Sequence, residues 1–167
     1  MRSFLTRAAG AGLLTLLSAP ALAAPANAWI AAASPSQEAH VPAVTGSPSC
    51  IATFRLNGAA EIIYRVRCFN ITGVTMAHIH SGNADVASGA VRVTLYSGGP
   101  SGTVNGVLAQ GSIERGVTLD NAAYDQLVAD MRADATYFNA HTSTNAAGEV
   151  RGAIVGFTVP KTPNLPF

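Results

Sequence analysis

The chain has 167 residues, with ten basic and nine acidic side chains and a formal net charge of +1. That length suits one domain with one core once a leader is set aside, and the balanced charge offers no basic surface for nucleic acid. Only 11% of the residues are charged, well below the usual quarter, while Gly, Thr, Ser and Val are plentiful, as in an exported β-protein. Arg2 and Arg7 give a positive start, the run Ala8 to Ala19 is apolar, and Ala21-Leu22-Ala23 is a small-x-small signal. This is the layout of a secretory signal peptide over residues 1–28, cut after Ala23 or, at the second such site, after Ala28. The apolar run is too short to span a bilayer, and no later stretch reaches the roughly 20 residues a membrane helix needs. The expected mature protein is periplasmic or secreted, with no membrane span.

Residues 29–49 carry Pro35, Pro42 and Pro48 and read as an extended arm or edge strand, since proline cannot donate to a central ladder. A β-sandwich is expected over 50–159, with 160–167 as a C-terminal tail. Strand-like runs fall near 51–56, 61–69, 74–80, 90–96, 107–113, 136–141 and 149–158. They are divided by turn residues at Asn57-Gly58, Asn70 to Gly73, Ser97 to Gly102 and Asn145 to Gly148. The run Gly98-Gly99-Pro100-Ser101-Gly102 reads as a long hairpin turn, and without a following helix it is no phosphate loop. Between Leu119 and Met131, Ala123, Leu127, Val128 and Met131 recur at helical spacing, with Thr118 or Asp120 placed to cap the start. The fold class is all-β: a Greek-key or immunoglobulin-like sandwich with one short crossover helix.

The cysteines test that reading. If the runs 51–56 and 61–69 pair about Gly58 and Ala59, Cys50 falls opposite Cys68. Ala52, Phe54 and Leu56 then share a face with Ile62, Tyr64 and Val66, and the other face carries Thr53, Arg55, Arg65 and Arg67, with Ile63 the exception. A one-residue slip would invert every side chain, so the pattern fixes the register. In an exported protein the two thiols are expected to form a disulfide.

His78-Ile79-His80 carries the strongest chemical signal. Alternate residues of a strand point to one face, so two imidazoles can converge on a single point. His141 is the candidate third ligand, with Met76 and His40 as further candidates. Met76 has the same strand parity as His78 and His80, and a thioether beside imidazoles suits Cu(I). Asp85 reads better as a turn residue than as an oxygen ligand. Glu149 and Arg151 are two apart, either orienting a histidine or closing a turn as an ion pair. The opposing reading is a knot of buried, hydrogen-bonded histidines.

Three ordered blocks carry a family resemblance. Thr75-Met76-Ala77-His78-Ile79-His80-Ser81-Gly82, Tyr137-Phe138-Asn139-Ala140-His141-Thr142 and Asn145-Ala146-Ala147-Gly148-Glu149-Val150-Arg151-Gly152 resemble the CHRD domain. Gln37-Glu38 with Val41-Pro42 is similar to an earlier block of that family. The resemblance covers roughly 36–158 and implies an immunoglobulin-like sandwich without implying a particular activity. The His-x-His pair with a later histidine and Gly148, Arg151 and Gly156 is also similar to copper/zinc superoxide dismutase, although a zinc loop is missing. Three readings follow: an exported binding module with a copper or zinc site, a redox enzyme resembling the dismutase, or a metal-free structural or adhesive domain. The partner is a metal ion or an extracellular protein, and no oligomeric state is implied.

Overall fold

The computed structural model describes residues 25–39, 44–83 and 89–159. The leader to Ala24, the tail from Pro160, and the candidate residues His40 and Asp85 lie outside the described residues. Nine strands and one helix follow in chain order: β1 (Ala28–Ala33), β2 (Ser49–Leu56), β3 (Glu61–Thr72), β4 (Val74–Ser81), β5 (Val91–Ser97), β6 (Thr103–Glu114), α1 (Asn121–Arg132), β7 (Thr136–Thr142), β8 (Val150–Ala153) and β9 (Val155–Phe157). They build two antiparallel sheets, β6-β3-β2-β1-β9 and β5-β4-β7-β8. The fold is an all-β sandwich with one short helix.

The β2–β3 hairpin takes the expected register, with Cys50 opposite Cys68, Ala52 opposite Val66 and Phe54 opposite Tyr64. The two cysteines form a disulfide on the core face. Alternation then fills the space between the sheets. Trp29, Phe54, Ile62 and Val66 come from one side, Ile79, Phe138 and Val150 from the other, and all are buried. The helix starts where Asp120 accepts a hydrogen bond from the Ala123 amide, the side-chain cap expected of an aspartate. It carries the chain from β6 in one sheet to β7 in the other and buries Tyr124, Leu127, Val128 and Met131. The buried Trp29 indole N–H donates to the Met131 carbonyl and ties the helix to β1.

Three expectations change. The segment 29–49 is not simply an arm or an edge: its start forms β1, which lies inside a sheet between β2 and β9. The first of the prolines falls after that strand, at the start of a 3-10 turn over Pro35–Gln37, where no ladder bond is lost. Gly98 to Gly102 is no hairpin turn, because β5 and β6 belong to different sheets. The run 149–158 is two strands divided at Ile154, so the chain changes sheets there.

That corner closes one side of the sandwich. The β1–β9 ladder, with Ile30 opposite Val155, continues in the same register to a bridge between Ser34 and Arg151. One antiparallel ladder thus runs from the first sheet onto the second. Gly152 permits it, because a Cβ there would overlap the Ala32 carbonyl and crowd the Ala33 Cα. The outer face of the second sheet is thereby brought under the residues that follow β1.

Candidate metal centre

The pairing of β4 with β7 decides what His78 and His80 face. The ladder is regular from Met76 opposite His141, through His78 opposite Asn139, to His80 opposite Tyr137. Directly paired residues project to the same side of a sheet. Ala77 and Ile79 enter the core, so Met76, His78, His80, Tyr137, Asn139 and His141 share the outer face. Arg151, paired with Asn139 across β7–β8, joins them.

An outer sheet face normally meets water, but this one is covered. His78, His80 and His141 are 6%, 7% and 8% exposed, and Arg151 is 1% exposed. Short segments supply the cover. The carboxylate of Glu38 accepts from the Asn139 amide at 3.4 Å and lies against Gly148. Gly89 and Ala146 place their carbonyls beside two of the imidazoles, and Arg151 donates to the Asn83 carbonyl at 3.2 Å.

Those carbonyls fix the tautomers. A carbonyl oxygen only accepts, so His80 carries its proton on Nδ1 and donates it to Gly89 at 2.9 Å. His141 likewise donates from Nδ1 to Ala146 at 3.0 Å. Both rings are thereby left with a bare Nε2. The Nε2 of His141 stands 3.2 Å from Nδ1 of His78. The buried Nε2 of His80 has no hydrogen-bond partner among the described residues. One nitrogen from each ring lies within 4.8 Å of the other two.

Electrostatics favours the neutral, electron-donating form. Burial pushes His78 from 6.5 down to about 4, and the neighbouring His141 and His80 add to the fall. Burial also lowers His80 and His141, against the opposing effect of the carbonyls that accept their protons. The Tyr137 ring stacks on His80 at 4.8 Å and 6°, and the Arg151 guanidinium carbon sits 3.7 Å from the Tyr137 centroid. His80, Tyr137 and Arg151 therefore form one column. Gly89 closes it, accepting from His80 through its carbonyl while its amide donates to the Tyr137 hydroxyl at 2.9 Å.

The three predicted histidines thus come together, and His80 and His141 are anchored as metal-ligating imidazoles typically are, with the second ring nitrogen donating to a carbonyl. Met76 stands opposite His141 on the same face and is 40% exposed, toward the solvent edge of the cluster. Glu149 does close a turn, but its partners are Thr142 and Asn145 rather than Arg151. The two side chains diverge because Glu149 precedes β8 while Arg151 lies within it. Glu38, Tyr137, Asn139 and Gly89 are further members of the site. The parity of Tyr137 and Asn139 with His141 marks those two in the sequence; the Gly89 carbonyl meets His80, for which the sequence gives no signal.

Fold and site together define a disulfide-linked β-sandwich domain with a covered histidine cluster on one outer sheet face. The CHRD domain family model matches residues 30–154. The chain belongs to the CHRD domain family. No curated protein and no solved structure shows significant similarity to it.

Proposed function

We propose that this protein is an exported binding module in which His78, His80 and His141 hold one copper or zinc ion. One observation carries the reading. Two imidazoles have their Nδ1 protons committed to carbonyls, and the bare, buried Nε2 of His80 has no partner among the described residues. Leaving a buried acceptor unsatisfied costs about 1–3 kcal/mol, which a bound cation would recover. Two nitrogens at about 2.0–2.1 Å from one tetrahedral ion stand about 3.4 Å apart. The 3.2 Å between His78 and His141 suits that spacing, and an ion would draw His80 inward from its wider separation. All-imidazole donor sets suit copper and zinc, and Met76 on the same face offers a soft donor that would favour Cu(I). The ion's chemistry would be Lewis-acid or, for copper, one-electron transfer. The chain's own residues would orient the ligands (Gly89, Ala146), exclude water (Tyr137, Glu38) and place positive charge nearby (Arg151). Export is supported by the leader-like start of the sequence and by the disulfide, which persists in oxidising compartments. No described helix is long and apolar enough to cross a membrane.

A redox activity of the dismutase kind is the second reading. Three protein ligands leave a coordination position open, as catalytic metal sites do. Titration of the untagged mature chain with Cu(I), Cu(II) and Zn(II) tests both. One equivalent bound tightly by the wild type, and lost in His78→Ala and His141→Ala, is expected. Superoxide turnover above that of free copper would add the second reading. Absence of stoichiometric binding would leave a structural or adhesive domain with a histidine knot.

A further inference from the structure

The opposite side of the molecule presents a different surface. Across the outer face of the five-stranded sheet the register sets Phe157, Ala28, Arg55, Ile63 and Ser112 in one row. Val155, Ile30, Thr53, Arg65 and Gln110 form the next. Along these rows runs a trough of about 820 Å³, within the 300–1,000 Å³ typical of small-ligand sites. Ile30, Ile63 and Phe157 line it and are 42%, 48% and 49% exposed. Large apolar side chains gathered on one concave surface mark a binding site more often than scattered ones do.

The charged groups that line the trough are cationic, and the acidic pair on this face, Glu61 opposite Glu114, stands beyond Ile63, about 7 Å along the strand. Arg55 and Arg65 line the trough, and Arg67 continues the same face of β3 about 7 Å along the strand. No acidic residue stands in either row, and among the described residues no carboxylate pairs with Arg65 or Arg67. A planar bilayer would rest on the rim, whereas a single alkyl chain could lie along the floor.

We infer that this trough binds a free, single-chain anionic amphiphile of the long-chain carboxylate or alkyl phosphate type. Its head group meets Arg65, flanked by Arg55 and Arg67, and its chain lies over Ile30, Ile63 and Phe157. The inference is independent of the metal site, which lies on the other sheet.

Dodecyl phosphate, titrated calorimetrically into the full mature chain below its micellar concentration, is the probe. Saturable one-to-one binding is expected, unchanged in His78→Ala. Affinity should fall at least tenfold in Arg65→Glu, with a smaller loss in Arg65→Gln to guard against a folding defect, and inorganic phosphate alone should not saturate. Equal affinity for uncharged dodecyl maltoside, or an undiminished affinity in Arg65→Glu, would overturn the inference. So would binding to phosphatidylglycerol vesicles without binding of the monomer, which would give the face to a membrane surface. Binding that appears only after deletion of residues 160–167 would give the trough to the chain's own end.

Discussion

Acidifying the metal-free protein should destabilise it through His78, and the size of the effect follows from its burial. The unfolded chain takes up a proton on this imidazole near 6.5, whereas the folded protein resists until about 4. Between those values the unfolded state binds more protons, so stability is fully present above 6.5 and is lost as pH falls through 4. The gap, at about 1.4 kcal/mol per pH unit, amounts to about 3 kcal/mol. That is a large share of the 5–15 kcal/mol that holds a typical domain folded. His80 and His141 are lowered too and act in the same direction. Urea unfolding of wild type and His78→Asn at half-unit steps from pH 7 to 4 isolates the contribution, because carboxylates titrate equally in both. The wild-type curve should fall more steeply, by about 3 kcal/mol over the interval. Parallel curves, agreeing within about 1 kcal/mol, would mean that His78 is not held neutral and that the argument from burial is wrong.

If His78, His80 and His141 hold an ion as proposed, Gly89→Ala should weaken its binding about 10–100-fold without removing a ligand, because a Cβ there overlaps the Ser81 carbonyl oxygen and displaces the acceptor of His80. The check is metal competition with a chelator of known affinity. Replacing both Cys50 and Cys68 by Ser frees a loop of sequence separation 18; denaturant unfolding should show a loss of about 3 kcal/mol. A change below about 1 kcal/mol would show that the unfolded chain is not restrained by this link. Gly152→Ala should cost at least about 2 kcal/mol, since the clash is with backbone of β1 that cannot rotate away. Thermal unfolding of that variant beside Gly99→Ala, whose Cβ meets nothing within 4 Å, separates the close approach from a general glycine effect.

The amino-acid sequence determined whatever depends on neighbours along the chain. The β2–β3 register is written in its alternation, because a slip would turn Arg65 and Arg67 into the core; the disulfide then follows from Cys50 meeting Cys68. The helix is legible from a 3.6-residue period and an aspartate at its start. The common face of His78 and His80 needs only the two-residue period of a strand. Tertiary structure decided everything that requires knowing which strand lies beside which. β1 is alanine-rich and lacks a strong strand signal, and its place inside the sheet depends on β9 returning from the far end of the chain. The split at Ile154 is invisible in a run whose alternation reads through it, since period two gives the side of a strand but not the sheet it joins. The same limit governs the histidine cluster. His141 reaches His78 only because β7 pairs with β4 across a sequence separation of 63, and long-range pairing is set by the packing of the whole sandwich rather than by any local pattern.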